Sequence, residues 1–215
     1  VGVEIIQQPN KQSQPSGKII EILGDYTAPG MEIEIALRKH DLPYVFSPEI
    51  EKLSGKFPKN VTKKESTGRK DICHLPLVTI DSETARDFDD AVYCETDDEG
   101  YRLYVAIADV SHYVKPSDAI DQEAFNRGNS VYFPRRVIPM LPEALSNELC
   151  SLIPDKNRLC MVCEIQFQAN GDIVHYIFYP AVMRSHARLT YNKVAAMLTD
   201  PKGPEAKEYA NLLPH

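Results

Sequence analysis

The feature that most constrains this chain is an acid-rich segment between two apolar runs. It reads TIDSETARDFDDAV over residues 79–92 and contains four aspartates: Asp81, Asp87, Asp89 and Asp90. Asp81 ends a predicted buried strand, and the other three lie where the next strand begins. Carboxylates held in one loop repel one another strongly once they lose contact with water. The loop must therefore either stay solvated or face a cation.

From the residues alone, two interpretations of this segment stay open. A solvated acidic turn is the common state of an Asp-rich loop. A Mg²⁺ site is the alternative, because Mg²⁺ prefers carboxylates and water, and a pair of such ions can activate a water and stabilise the leaving oxygen in phosphodiester cleavage. Phe88, which interrupts the acids, favours an ordered loop. An EF-hand calcium loop is excluded, because its ligand order and its glutamate at the twelfth position are missing.

The patterning after residue 72 predicts an α+β fold with a mixed sheet. The predicted strands are residues 75–80, 91–95 and 101–108, with a hairpin loop at 96–100. The predicted helices run from Ser117 to Arg127, with Gly128 just past the end, and from Thr190 to Leu198. The strand at 101–108 is apolar on both faces, which predicts a central and buried position. Asn170-Gly171 predicts a hairpin between two long strands.

The first 72 residues have a different pattern. Strands are predicted over residues 3–6 and 18–23, and a helix over residues 31–39. A polar, basic stretch follows, which predicts a linker at 59–72. The predicted domains are therefore residues 1–58, with a helical segment, and residues 73–215.

Charge and cysteine content limit the class of protein. Residues 1–70 carry 11 Lys and Arg against 9 Asp and Glu, whereas the remainder carries 13 against 22, within a net charge of -7. This acidity argues mildly against a nucleic-acid binder, although a site that holds cations is itself acidic. Five cysteines predict reduced thiols, and Cys160 and Cys163 lie in a predicted strand whose alternation favours a core position over a metal site. No apolar run long enough for a membrane span and no secretory signal is present, which predicts a cytoplasmic location.

Several long motifs resemble, in order, the catalytic RNB domain of the ribonuclease II and ribonuclease R family, most closely its bacterial ribonuclease R branch. They are TIDSETARDFDDAV, LYVAIADVSHYV, RGNSVYFPRRVIPMLPEALSNELCSLIP, RLCMVCEIQF and MRSHARLTY. The resemblance implies a hydrolytic exoribonuclease that degrades single-stranded RNA processively from the 3′ end to 5′-mononucleotides. It implies Mg²⁺, with Mn²⁺ as a substitute and the number of ions left open. It also implies that the four aspartates of residues 79–92 are the catalytic and metal-binding residues.

The resemblance suggests roles for a few further residues. Tyr132 matches the aromatic residue that stacks on a base near the 3′ end, which suits an enzyme indifferent to sequence, although a core tyrosine fits the same pattern. Arg127 and Arg135 are candidates for phosphate contacts, although exposed arginines near helix ends and turns are common. His112 is interpreted as structural, and Asp109 as a residue that supports the metal ligands.

The resemblance also covers the start of the chain and its extent. The first 58 residues resemble the end of a cold-shock, OB-type β-barrel, a fold that guides single strands. We expect the chain to be an internal fragment, with weak or no activity alone, because the family keeps a catalytic arginine beyond residue 215. A non-catalytic RNA-binding module or an adaptor-binding module is the alternative. A protein adaptor, ribosome-associated partners and the oligomeric state stay open.

Overall fold

The computed structural model of this chain describes residues 1–97, 100–210 and 212. It has two compact units, which are described separately. The first comprises Val1–Phe46 and Ser130–Ile138, and the second comprises Ser47–Asn129 and Pro139–His215. Both contain helices and strands, so the predicted α+β class is confirmed.

The elements follow in chain order. The strands are β1 Gly2–Gln7, β2 Ser16–Glu21, β3 Lys70–Asp71, β4 Val78–Asp81, β5 Asp90–Asp97, β6 Gly100–Ala108, β7 Val131–Phe133, β8 Arg136–Ile138, β9 Asn157–Gln168, β10 Ile173–Arg184 and β11 Ala187–Thr190. The helices are α1 Met31–Lys39, α2 Pro48–Ser54, α3 Lys63–Ser66, α4 Val110–Tyr113, α5 Ala119–Arg127, a π-helix Ala144–Leu149, α6 Tyr191–Thr199 and α7 Pro204–Glu208. Strands β1 and β2 and helix α1 confirm the three elements predicted at the start of the chain, within two residues at each strand end.

The first unit is built from two small hairpins and one helix. Strands β1 and β2 pair antiparallel, and so do β7 and β8. Helix α1 buries Ile33 and Leu37 against Ile138 of β8. Arg136 also donates to the Glu34 carboxylate of α1 at 2.5 Å. These contacts explain why residues 130–138, far along the chain, belong with the first unit.

The second unit contains a mixed, seven-stranded sheet with the order β11-β4-β5-β6-β9-β10-β3. The outer pairs β11–β4 and β10–β3 are parallel, and the inner pairs are antiparallel. Strand β6 occupies the centre, as predicted. The prediction that both of its faces are buried is wrong: Tyr104, Ala106 and Ala108 are buried, but Ile107 on the opposite face is 45% exposed. Because side chains alternate along a strand, only one face of β6 packs into the core.

Local turn chemistry explains where element boundaries differ from the predictions. Helix α5 begins after Asp118, not Ser117, because the Asp118 side chain accepts from the Asp121 N–H while Ser117 has a φ of 68°. The predicted hairpin between β9 and β10 is confirmed, with Gly171 at a φ of 90°. Thr190 caps α6 as predicted, since its side chain accepts from the Lys193 N–H. The predicted hairpin loop at 96–100 includes residues 98 and 99, which lie outside the described residues.

The segment 59–72, predicted as a linker, contains regular structure in the second unit. Thr62 and Glu65 form a capping box that starts α3, which satisfies the first backbone N–H groups of this short helix. Strand β3 then pairs in parallel with β10. Polar composition alone cannot reveal how this segment packs, because its tertiary hydrogen bonds are made to residues 40 or more positions away.

The cysteines lie as the sequence predicts. All five are free thiols. Cys160 is buried in β9, and Cys163 on the opposite face of that strand is half-buried. Burial raises the pKa of the Cys160 thiol to about 12, so it behaves as a neutral core residue. Separately, none of the helices in the described part of the chain is long and apolar enough to cross a membrane.

The packing of β9 yields a stability prediction. Leu159 is 1% exposed, whereas Leu198 is 73% exposed. Leu159→Ala should lower the free energy of unfolding by about 2–5 kcal/mol, because it removes buried methyl groups and leaves a cavity. Leu198→Ala, the matched control, should change it by less than about 0.5 kcal/mol. Urea unfolding followed by circular dichroism measures both, and equal effects would contradict the assignment of β9 to the core.

Candidate active site

The acid-rich segment lies where β4 ends and β5 begins. Asp81 is the last residue of β4, and Asp90 is the first residue of β5. The two strands are antiparallel with Val78 opposite Val92, so continuing the register by three residues places Asp81 across from Asp89. The Asp89 carbonyl accepts from the Ala108 N–H at 2.8 Å. The end of β4 and the start of β5 therefore lie on neighbouring strands, and the convergence of the four aspartates stays a prediction.

Phe88 anchors the second half of the loop in the protein interior. Its side chain is 5% exposed, and its N–H donates to the Ser151 hydroxyl at 3.1 Å. The same hydroxyl donates to the Arg86 carbonyl at 2.8 Å, and the Phe88 carbonyl accepts from the Leu152 N–H. Ser151 is itself fully buried. These bonds confirm that the loop is ordered, as the apolar residue among the acids predicts.

Arg188 of β11 holds the first half of the loop. Its Nη2 donates to the Glu83 carbonyl at 2.6 Å and lies 3.4 Å from the carbonyl oxygens of Ser82 and Ala85. Its guanidinium carbon lies 5.0 Å from the centre of the Phe88 ring, a cation–π distance. Arg188 was not among the predicted site residues because β11 was not predicted. The alternation in Ala187–Thr190 before the Thr190 cap was the available signal.

A shallow cavity of about 470 Å³ opens beside this loop. Its lining includes Arg86, Phe88 and Arg188 on one side and Asn147 and Glu148 of the π-helix on the other. Single π-helical turns occur frequently at functional sites. The loop therefore has an open side next to the residues that hold it.

The carboxylates of the loop influence one another electrostatically. Burial raises the pKa of Asp81, the charges of Asp90 and Asp87 raise it further, and Arg188 opposes these effects. Partial desolvation also raises the pKa of Asp89, with additional contributions from Asp87, Asp90 and Asp81. A raised carboxyl pKa means that the charged form is penalised. All four aspartates are therefore close enough to interact, and a cation would relieve their repulsion.

The donor set fits a hard cation, but it does not form a complete protein cage. The Asp81 Oδ2 atom is buried and has no hydrogen-bond partner among the described residues. Within residues 1–97, 100–210 and 212, no three His, Cys, Asp or Glu side chains form a group that could hold a metal. The predicted four-ligand arrangement is thus not preassembled, and mutual repulsion favours such separation. Mg²⁺ commonly binds through one or two carboxylates together with waters and substrate phosphates, which this arrangement can provide.

Asp109 and His112 belong to a separate buried network. Arg69 donates to Asp109 Oδ2 at 2.5 Å, and the Ser111 hydroxyl donates to Asp109 Oδ1 at 2.7 Å. The Arg69 guanidinium also lies 3.3 Å from His112 Nδ1, and His112 Nε2 lies 3.4 Å from Glu65. His112 therefore lies between Arg69 and Glu65 of the segment 59–72. The Asp109 carboxylate is paired with Arg69.

The predicted RNA-contacting residues lie in different surroundings. Tyr132 of β7 is 64% exposed, so it is not a core tyrosine. Arg135 is exposed in the turn between β7 and β8 and has a φ of 67°. Arg127 has a side chain that is only 2% exposed and donates to the Glu123 carboxylate and the Pro139 carbonyl. Arg127 therefore stabilises the end of α5, and we leave it out of the proposed RNA-binding residues.

Comparison with protein families decides the relationship. The family model of the RNB domain matches residues 69–214, and that of the cold shock domain matches residues 1–47. The chain belongs to the RNB domain family. The RNB match includes the aspartate loop. The cold shock match ends one residue beyond Phe46, the last residue of the N-terminal part of the first unit.

Individual relatives of this RNB chain are similar over its whole length. Ribonuclease R of Escherichia coli strain K12 is 52% identical over 216 residues, which cover 100% of this chain and 26% of the relative. The chain thus spans about a quarter of the length of that relative. The structure of Mycoplasma genitalium RNase R in complex with double-stranded RNA matches with a TM-score of 0.86 and 34% identity, over 94% of this chain and 36% of that one.

A more distant structure has a similar fold. Yeast Ssd1, a pseudonuclease, matches with a TM-score of 0.70 over 95% of this chain and 26% of its own, at 18% identity. This likeness concerns the fold alone. Any argument for catalysis must therefore rest on the aspartate loop and not on the sheet.

The Arg69–Asp109 pair of this RNB chain yields a prediction about acid stability. Burial raises the pKa of Asp109, but hydrogen bonds from Arg69 and Ser111 outweigh it and hold the pKa below its usual value. The stabilisation is therefore complete above the unfolded-state pKa and is lost as pH falls through the lower folded-state value. Asp109→Asn should cost about 3 kcal/mol near neutral pH, because it leaves the Arg69 charge without its partner.

The same variant should lose less stability on acidification than the wild type does. Urea unfolding at a series of pH values between about 6 and 2 measures this difference, since the unfolded-state pKa of Asp is about 3.9. Asp172→Asn, in the exposed turn before β10, is the control. If Asp109→Asn lost as much stability between about pH 6 and pH 2 as the wild type does, the Asp109 carboxyl would not be the group whose protonation destabilises the protein.

Proposed function

We propose that this chain is part of a hydrolytic exoribonuclease that degrades single-stranded RNA processively from the 3′ end and releases 5′-mononucleotides. The observation that carries the proposal is the ordered loop with four aspartates at adjoining strand ends, in a chain 52% identical to a ribonuclease R. Because that relative is about four times as long, we use "intact protein" for the longer polypeptide that we propose to contain this chain.

Mg²⁺ is the proposed cofactor. Asp81 and Asp90, which lie at the two strand ends, are the residues we propose to hold it most firmly, and Asp87 and Asp89 contribute further negative charge. The unpaired Asp81 oxygen and the raised pKa of Asp81 and Asp89 support a cation here. Held by these carboxylates, Mg²⁺ would supply activation of the attacking water and stabilisation of the leaving oxygen. Mn²⁺ has the same preference for carboxylate oxygens and should substitute.

The protein's own residues position the reacting groups. The Asp89 carbonyl accepts a hydrogen bond from the Ala108 N–H of β6. This bond fixes the main chain from which the Asp89 carboxylate projects, next to the start of β5. Exposed Tyr132 offers a face on which a base can stack, whatever the sequence, and Arg135 in the adjoining turn can contact a phosphate. RNA as the ligand is supported by the similarity to M. genitalium RNase R, whose structure contains RNA.

A non-catalytic RNA-binding or adaptor-binding module is the second candidate. The likeness to a pseudonuclease fold favours keeping it, because the RNB fold alone does not distinguish the two. Four carboxylates in one loop repel RNA phosphates and would weaken simple RNA binding. The aspartate loop therefore favours catalysis over the binding module. A protein adaptor, a ribosome-associated partner and a cytoplasmic location stay predictions.

Asp89→Asn tests the catalytic proposal in the intact protein. We expect RNA affinity to be retained and hydrolysis to fall by about 10²-fold or more, since one group of the electrostatic site is neutralised without a change of shape. Filter binding and a gel assay with 5′-labelled RNA measure the two quantities. Asp172→Asn, a surface aspartate outside the site, is the matched control. Unchanged turnover in Asp89→Asn would refute the catalytic role and support the binding module.

The isolated 215-residue chain should be weakly active or inactive with Mg²⁺. We propose that a catalytic arginine lies outside it, and loss of one such charge typically reduces a rate by about 10²–10³-fold. Stepwise degradation of labelled RNA by the purified chain at the rate of the intact protein would contradict this. Adding the remaining part in trans should raise the rate, and less so when Asp89 is changed to Asn.

A further inference from the structure

Arg188 lies on a strand directly beside the aspartate site. Strand β11 pairs in parallel with β4, so Arg188 is opposite Thr79 and Thr190 is opposite Asp81. Residues paired in this way project to the same face of a sheet. Arg188 therefore reaches toward the loop from the same side as the side chain of Thr79, two positions before Asp81.

The arginine grips main-chain oxygens. Its Nη2 bonds to the Glu83 carbonyl at 2.6 Å and lies at 3.4 Å from those of Ser82 and Ala85. Hydrogen bonds from a charged donor are roughly twice as strong as neutral ones. The guanidinium carbon also lies 5.0 Å from the centre of the buried Phe88 ring, a cation–π distance. Arg188 thus ties the turn after Asp81 to the phenylalanine that anchors the turn before Asp89.

The two halves of the loop have different anchors. Ser151 binds the main chain at Arg86 and Phe88, whereas Arg188 binds it at 82, 83 and 85. Loss of one anchor therefore loosens one half while the other stays attached. The half held by Arg188 is the one that follows Asp81 and leads to Asp87.

Arg188 also brings positive charge to the site. It lies close enough to Asp81 to oppose the repulsion from Asp90 and Asp87. Its Nε atom and the Asp81 Oδ2 atom are both buried, and neither has a hydrogen-bond partner in the part of the chain that the structure describes. The Arg188 guanidinium thus lies near Asp81 without a hydrogen bond between Arg188 Nε and Asp81 Oδ2.

We propose that Arg188 is a positioning residue of the aspartate site, which holds the main chain of residues 82–85 so that Asp81 and Asp87 are presented together to the cation. This inference rests on the proposed function, because a site with no cation would not require such positioning. Arg188 touches neither the RNA nor the reacting atoms in this role. It acts through the loop that it grips.

Lysine cannot replace Arg188 fully in this role. The guanidinium is planar and presents several donors in a fixed fork, so it can bond to neighbouring carbonyls while it lies near the Phe88 ring. A lysine ammonium keeps the charge but is a flexible point donor. Arg188→Lys therefore keeps the positive charge beside Asp81 but loses the set of hydrogen bonds to the main-chain carbonyls. Arg188→Met loses both the charge and the hydrogen bonds and keeps an apolar side chain.

The experiment compares the intact wild-type protein with Arg188→Met and Arg188→Lys. Mn²⁺ affinity is measured by electron paramagnetic resonance without RNA, and kcat and KM are measured on labelled RNA. We expect Arg188→Met to weaken Mn²⁺ binding and lower kcat by about 10–100-fold, the range found when residues supporting metal ligands are lost, with little change in KM. Arg188→Lys should fall between Arg188→Met and the wild type.

Arg184 provides a matched control. It is an exposed arginine at the end of β10 that donates to the Asn157 side chain. Within the described part of the chain it has no hydrogen bond to residues 82–88. Arg184→Met should leave Mn²⁺ affinity and kcat as in the wild type. Hydrogen exchange of the amides in residues 82–85 adds a direct readout, and should rise in Arg188→Lys but not in Arg184→Met.

The outcomes separate this inference from the proposed function. A wild-type protein that neither binds Mn²⁺ nor hydrolyses RNA would overturn the proposed function itself. An active wild type whose Arg188→Met variant binds Mn²⁺ and turns over normally would overturn the positioning role. If Arg188→Met fails to fold, Arg188→Lys decides: unchanged exchange and unchanged kcat overturn the role, and faster exchange with lower kcat supports it.

Discussion

Mutual repulsion among four carboxylates is the constraint on which the described site depends. A loop with this charge would open into solvent if nothing held its main chain. The protein holds it through uncharged groups, namely the buried Phe88 ring and the Ser151 hydroxyl, and through one arginine directed at backbone oxygens. The main chain between the acidic residues is thus held by groups other than the carboxylates themselves. Such an arrangement stores electrostatic energy that a cation can release on binding.

The same sheet carries a second charged cluster with the opposite character. In the Arg69–Asp109 network each charge has a partner at hydrogen-bonding distance, and both side chains are almost inaccessible to water. That cluster joins the segment before β3 to the end of β6, close in sequence to the Ala108 N–H that holds Asp89. The Arg69–Asp109 pair serves the fold, whereas the Asp81 Oδ2 atom of the aspartate loop has no hydrogen-bond partner among the described residues and suits a ligand.

The sequence was most informative where a feature depends on neighbouring residues. The strand ends around Asp81 and Asp90, the Asn170-Gly171 hairpin and the Thr190 cap all follow from local pattern, and the structure confirms them. Features built from distant residues were missed, including Arg188, the Ser151 bonds and the structure within residues 59–72. The bond from the Arg127 side chain to the Pro139 carbonyl, 12 residues away, was missed for the same reason. Periodicity reports which face of an element is apolar, but it does not report which partner covers it.

The distance along the chain between the aspartate loop and its anchors has a consequence for biosynthesis. Ser151 is 63 residues beyond Phe88, and Arg188 is 105 residues beyond Glu83. Because a ribosome adds roughly 5–20 residues per second, the aspartates emerge many seconds before the second anchor is available. During that interval the loop lacks the grip on residues 82–85. An ordered aspartate loop is therefore available only after much of the domain has been made.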